Sequence, residues 1–121
     1  IKFKDYHFIL PDTYYNNCIN YLEKKITNFS ILIFSDDIQW CKDNFKFKHK
    51  VIFSENNGFI TDLILMSLCD HNIIANSSFG WWGAYLNKKD NLILCPNKWF
   101  GKLGPKKHDL YLDNWIVIDI N

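Results

Sequence analysis

Short, β-rich apolar runs recur along this chain, and each is separated from the next by a segment with helical spacing. That alternation constrains the fold more than any other feature. A strand that reads as a continuous apolar run is buried on both faces, and helices between such strands supply the cover. Tyr15, Cys18, Ile19 and Leu22 fall on one face of a helix over about 12–27, with Asp12 placed to cap its start and Asn28 to end it. Phe29 to Phe34 reads as a buried strand. Asp36 and Asp37 cap a short helix through about Phe45, with Ile38 and Cys41 facing inward. Val51 to Phe53 is a second strand, followed by turn chemistry from Glu55 to Gly58. Asp62 to Cys69 is a third helix and Ile73 to Ala75 a third strand. Ser77 or Ser78 caps a fourth helix through about Leu86. Leu92 to Leu94 is a fourth strand. Pro96 to Asp109, with Gly101, Gly104 and Pro105, is irregular, and Trp115 to Ile118 is a last strand or an edge segment. The fold class is therefore α/β, with a parallel sheet covered by helices on both faces.

Nothing in the pattern marks an internal boundary, so residues 1–121 are read as a single domain. Hydrophobic residues at 48% and charged residues at 22% suit a globular domain and exclude a disordered one. The net charge of +1 gives no electrostatic reason to expect a nucleic-acid partner. No apolar run is long enough for a membrane-spanning helix, and no secretory leader is expected. All 14 basic residues are lysine, and the chain opens on Ile1. We therefore expect a piece of a longer protein, with any arginine chemistry outside it. The 4 cysteines, Cys18, Cys41, Cys69 and Cys95, include no C-x-x-C pair and are read as buried free thiols of a reducing compartment. His7, His49, His71 and His108 are scattered, and no spacing makes a metal site.

In open parallel sheets, ligands bind beyond the carboxyl ends of the strands. Three segments fall there: Phe34 to Asp37, Ser54 to Asp62, and Asn76 to Gly80. Asp36, Asp37, Asp62, Ser77 and Ser78 can each be a helix cap, as those residue types often are. They can equally line a site. The third segment says most, because a Ser-Ser-Phe-Gly turn at a helix start offers unbonded N–H groups, hydroxyls and the positive end of the helix dipole to a phosphate. Trp81 and Trp82, in the helix it opens, suit core packing better than sugar stacking, and Trp99 carries the same ambiguity. The residues alone support an α/β domain with a phosphate or nucleotide site, and no particular reaction.

The stretch from Asp62 to Leu86 adds to that reading. With Ile74-Ala-Asn-Ser-Ser-Phe79 and Trp81-Trp-Gly-Ala84 inside it, it resembles glycosyltransferase family 11, the α-1,2-fucosyltransferases. Further similar pieces occur in the same order: Pro11 to Tyr15, Ile33 to Asp37 with Trp40 and Cys41, Cys95-Pro96 with Lys98 to Phe100, and Asp109 to Tyr111 with Trp115 and Ile116. The resemblance implies a GT-B architecture of two Rossmann-like halves, this chain being similar to the C-terminal half that holds GDP-fucose. It implies that Asp62 accepts hydrogen bonds from guanine N1 and N2, a bidentate contact that rejects adenine. It implies that Ser77, Ser78 and Phe79 hold the diphosphate and that Asp36 and Asp37 lie beside the nucleotide. The implied reaction is inverting transfer of fucose from GDP-fucose to the 2-OH of a β-galactoside, so the acceptor is a galactose-terminated glycan. No metal and no cofactor besides the donor substrate is implied.

One departure matters. The family carries an upstream H-x-R-R-G-D motif whose arginine neutralises the leaving diphosphate, and this chain has no arginine. Lys2 to Tyr6 match the family's residues just after that motif, so the missing partner is the N-terminal half of the same protein. No catalytic residue is then expected within the chain, and the piece alone is expected to be inactive. A bacterial member would be cytoplasmic or peripheral on the cytoplasmic membrane face, and a eukaryotic one Golgi-resident. Two other readings stand beside this one. One is another GT-B nucleotide-sugar transferase, marked by preference for UDP or ADP. The other is a non-enzymatic flavodoxin- or receiver-like module, marked by magnesium binding without nucleotide.

Overall fold

The computed structural model describes residues 9–102, 104 and 108–121. Lys2 to Tyr6, His7 and Pro105 lie outside the described residues. The elements run α1 (Asp12–Lys25), β1 (Ile31–Ile33), α2 (Ile38–Asn44), β2 (Val51–Phe53), α3 (Phe59–Leu68), β3 (Asn72–Ile73), α4 (Ser78–Leu86), β4 (Ile93–Pro96) and β5 (Ile116–Ile118). The order is the alternation expected, and the last apolar run is a strand. Each pairing among the described residues is parallel.

The strands form two sheets and not one: β1 pairs with β2, and β3, β4 and β5 lie side by side in that order. No ladder joins β1 to β3 among the described residues, and Ile31 to Ile33, Ile73 and Ala75 all line one cleft.

Helices cover the larger sheet on both faces, as expected. Along β4 the side chains alternate. Leu94 points into a core with Leu10, Tyr14, Cys18 and Leu22 from the α1 side and Ile118 and Ile120 from the C-terminal side. Ile93 and Cys95 point the other way, into a core with Met66 of α3, Ala84 of α4, Ile74, Trp99 and Trp115. The inward face of α1 carries Tyr14, with Tyr15 only half-buried. The Tyr14 hydroxyl donates to the Ile74 carbonyl at 2.6 Å, which binds α1 to the end of β3. Cys18, Cys41 and Cys95 are buried free thiols, while Cys69 is half-buried and equally free. Burial pushes the Cys18 and Cys95 thiols up to about 12, so both stay protonated at neutral pH.

Two helix starts differ from expectation. Pro11 occupies the cap position of α1, so Asp12 lies in the first turn, where its charge suits the helix dipole. The third helix opens at Phe59, one turn ahead of Asp62. Gly58 makes that start possible, with φ of 77° at the cap position. Asn28 sits in the turn after α1 with φ of 47°.

At the amino ends of the strands lies a buried amide cluster. Asn72 donates to the Met66 carbonyl at 2.9 Å and accepts from Asn87 at 2.8 Å and Asn91 at 3.3 Å. Asn87 also donates to the Cys69 carbonyl. His71 accepts through Nδ1 from the Leu92 N–H at 2.9 Å. No helix among the described residues is long and apolar enough to cross a membrane.

Helices α3 and α4 meet where Met66 covers Gly83. A Cβ on Gly83 would lie 2.6 Å from Met66 Sδ and 2.8 Å from its Cγ. Gly83→Ala gains about 1 kcal/mol of helix propensity against an overpacking cost of about 1–3 kcal/mol. We expect net destabilisation, read as a lower Tm, and expect that on a Met66→Ala background the same glycine substitution no longer lowers Tm. An unchanged Tm would mean that Met66 moves aside freely.

A second expectation concerns acid. Glu23 at the end of α1 accepts from His49 Nε2 at 2.6 Å and lies 3.3 Å from Lys48 Nζ. The His49 hydrogen bond, foremost, holds this carboxyl below its ordinary value. A group lowered in the folded state adds stability above its unfolded pKa of about 4.3 and loses it as pH falls through the folded value. The urea midpoint of Glu23→Gln should lie below that of the wild type at pH 7, and the gap should close in stronger acid. A gap independent of pH would sink this assignment.

Candidate functional site

The three segments expected to meet at the carboxyl ends of the strands do meet. They line one cleft of ≈ 910 Å³, which takes Asp36 from the end of β1, Ser54, Asn57 and Asp62 from beyond β2, and Ser77, Phe79 and Gly80 from beyond β3.

The β2 side is the most highly ordered by hydrogen bonds. The Ser54 N–H donates to the Ile33 carbonyl at 2.9 Å, continuing the β1–β2 ladder by one residue. Its side chain is thereby fixed at the floor of the cleft, and the residue is only 7% exposed. Ser54 Oγ donates to Asp62 Oδ1 at 2.6 Å, and Asn57 Nδ2 donates to Ser54 Oγ at 2.8 Å. Asp62 reaches this position because α3 has already begun at Phe59. From the first turn its side chain comes back over the strand end, which it could not do from the cap. Its second oxygen has no donor among the described residues, so it can receive one from a ligand.

The β3 side is a helix start with its donors exposed. Ser77 caps α4, accepting from the Gly80 N–H at 3.2 Å. The first-turn N–H groups of Ser78 and Phe79 precede the helix's own ladder, which leaves them for water or an anion. Gly80 lets the helix sit close to the strand, since a Cβ there would be 3.3 Å from Ile74 Cβ. Asn76 donates to the Trp99 carbonyl at 3.0 Å and anchors the loop after β4 behind this turn. The Phe79 ring meets Phe59 edge to face, 5.2 Å between centroids, so the two sides of the cleft touch through an aromatic pair.

The remaining residues divide. Asp37 caps α2 by accepting from the Trp40 N–H at 3.1 Å, and its own N–H is bonded to Ser35 Oγ, so it serves the local turn. Asp36 is exposed at the cleft wall. Ser78 is exposed at the first position of α4 and does not line the cleft. Ser54 and Asn57 lay inside an expected segment without being singled out. A serine directly after a β-run, eight residues before an acid, was the available signal.

Trp81 and Trp99 behave as packing residues, and Trp82 does not. Trp81 donates through Nε1 to the Leu110 carbonyl at 2.6 Å and stacks on Tyr85. Trp82 is 49% exposed beside it, and Trp99 is buried. Tyr111 donates to the Pro96 carbonyl behind the site.

Comparison with known proteins agrees with the resemblance drawn from the sequence. The model of Glycosyl transferase family 11 matches residues 4–119. The chain is 40% identical over 115 residues to the Escherichia coli O-antigen biosynthesis glycosyltransferase WbnK, covering 92% of this chain and 37% of that protein. It is 36% identical over 121 residues to an Escherichia coli alpha-1,2-colitosyltransferase, covering 93% of this chain and 41% of the relative. Against the mouse galactoside 2-alpha-L-fucosyltransferase Sec1 it is 29% identical over 113 residues, covering 81% and 30%. The chain thus spans about two-fifths of the length of its bacterial relatives. No solved structure matches it. With the family model matching nearly end to end, the chain belongs to glycosyltransferase family 11.

Proposed function

We propose that this chain is the donor-binding half of an inverting α-1,2-fucosyltransferase of GT-B architecture, and that the cleft takes GDP-fucose. The observation that carries the reading is the pairing of a carboxylate fixed by a buried serine with a bare helix start in one cleft. Guanine offers two adjacent donors, N1–H and the 2-amino group, and the Asp62 carboxylate can accept both. Adenine presents an acceptor at N1 and is repelled. The diphosphate then lies at the start of α4. There the N–H groups of Ser78 and Phe79 donate to it, and the Ser77 hydroxyl, which already accepts from Gly80, still has its proton to give. Asp36, on the cleft wall, stands beside the nucleotide, while Asp37 caps α2.

The acceptor is a galactose-terminated glycan. Its 2-OH attacks the anomeric carbon of fucose, the bond from that carbon to the diphosphate oxygen breaks, and GDP departs. The start of α4 stabilises the negative charge that grows on the leaving diphosphate. The rest of that stabilisation, and the deprotonation of the acceptor, belong to the N-terminal half of the enzyme. Ile60, Ile64 and Leu68 on α3 and Trp82 on α4 expose apolar surface suited to contact with further protein. Colitosyl transfer is a second reading, favoured by the similarity to the Escherichia coli alpha-1,2-colitosyltransferase.

Saturation-transfer NMR of GDP, ADP and UDP on the 121-residue chain tests the reading. Saturation of guanine protons that Asp62→Ala abolishes is expected, and equal responses to all three nucleotides would overturn it. A turnover assay with GDP-fucose and lactose should detect no transfer by this chain alone. Measurable product would show that the leaving group needs no cation from elsewhere.

A further inference from the structure

We infer that Ser54 is a positioning residue for base recognition: the relay Asn57–Ser54–Asp62 fixes the plane of the Asp62 carboxylate, so that its oxygens meet the two adjacent donors of guanine, and so decides between purines. This rests on the reading of Asp62 as the group that meets guanine.

The argument starts from proton counting. A serine hydroxyl has one hydrogen to donate and lone pairs to accept with. Asn57 approaches Ser54 Oγ through Nδ2, a pure donor, at 2.8 Å. The hydroxyl must accept there, which commits its single proton to Asp62 Oδ1 at 2.6 Å. Turning the Asn57 amide round would offer an oxygen instead. Ser54 would then face two acceptors with one proton, and two oxygens would stand at 2.8 Å with no hydrogen between them. The direction of the relay is therefore set by donor chemistry.

Both ends of the relay are held. The Ser54 backbone is bonded to Ile33 across the strand pair, so its hydroxyl moves only with the sheet. The loop that delivers Asn57 takes left-handed conformations on either side of it, at Asn56 with φ of 60° and Gly58 with φ of 77°. A left-handed asparagine is uncommon and costs conformational energy. Here it turns the chain so that the Asn57 amide reaches back to Ser54 and α3 begins at Phe59. An aspartate in a first helical turn, half-exposed beside a cleft, would otherwise sample several rotamers. With one lone pair of Oδ1 taken by Ser54, the carboxylate plane is fixed, and Oδ2 and the remaining lone pair of Oδ1 are left to the base. A carboxylate held in that way can require two adjacent donors on its ligand. A rotating one accepts from whichever single donor arrives.

The test compares GDP with IDP, whose hypoxanthine base keeps N1–H and lacks the 2-amino group. Kd values are measured by NMR titration on the full 121-residue chain, with Tm recorded for every variant. The wild type should prefer GDP over IDP by about tenfold, the worth of one hydrogen bond to a charged group. Ser54→Ala and Ser54→Cys, the latter a near-isostere with a weak donor, should cut that preference to about threefold or less. Ser54→Thr, which keeps the hydroxyl, should preserve it. Asn57→Asp at an exposed position replaces the donor with a competing acceptor and should cut the preference as Ser54→Ala does, even if the buried variants fail to fold. A purely structural serine would weaken GDP and IDP equally and leave the ratio intact, and that result overturns the inference. Asp62→Asn separates the two levels. If it leaves the GDP-to-IDP ratio unchanged, or if the wild type binds neither nucleotide, the guanine reading itself fails. If it abolishes the preference while Ser54→Ala and Asn57→Asp do not, only the relay fails.

Discussion

The Tyr14 hydroxyl is the point on which the arrangement hangs. It is fully buried and donates to the Ile74 carbonyl, with the Leu94 carbonyl at 3.3 Å. Those two carbonyls belong to neighbouring chain segments of the larger sheet. One side chain thus fixes the position of α1 across the sheet and the path of the chain as it leaves β3. Two residues later that path becomes the turn that opens α4. Burial raises the phenol far above its ordinary range, so it remains a neutral donor wherever the protein is folded. Removing it would take the donor from the buried Ile74 carbonyl, while the Leu94 carbonyl keeps the Ile74 N–H at 2.9 Å, and would leave a void between helix and sheet.

The other half of the cleft is located from the opposite face. Met66 packs on Gly83, so α3 and α4 approach at a distance that a larger residue would not permit. That contact sets where α3 lies, and α3 carries Asp62. The carboxylate and the helix start thus share the core of Met66, Ile74 and Ala84, and Tyr14 pins the path into α4 from the core on the other face. Their separation depends on packing and not on any bond between them. The Phe59–Phe79 pair closes the distance at the surface.

Much of this was legible in the sequence, for reasons of chemistry. The alternation of apolar runs with helical spacing shows a parallel α/β fold because no other arrangement buries such runs on both sides. The strand ends then locate the cleft, and Asp36, Asp62, Ser77 and Phe79 are indeed brought to it. What escaped was set by tertiary geometry. Tyr14 and Tyr15 are indistinguishable by hydrophobicity, and only the carbonyls in reach make Tyr14 the buried one. Asp62 has the composition of a cap, yet Gly58 starts the helix earlier and turns it into a wall residue. Ser54 carried only its place after a β-run as a signal, because the role of a buried hydroxyl is defined by its partners. The gap between β1 and β3 is likewise invisible to periodicity, which counts strands without saying which of them bond.

The amide cluster at the far end of the strands has an evolutionary consequence. Asn72 receives from Asn87 and Asn91 while serving the Met66 carbonyl, and Asn87 serves Cys69 as well. Asn72 and Asn87 are both buried, so replacing either strands polar groups that water cannot reach. A lineage can leave this solution only by exchanging several positions together, through intermediates less fit than either end. The neighbouring Asp90 is exposed and outside the network, and Lys88 makes only a surface contact with the Tyr85 ring, so each can change by itself. Within one short loop, then, the chain combines a block of epistatic residues with positions under almost no mutual constraint.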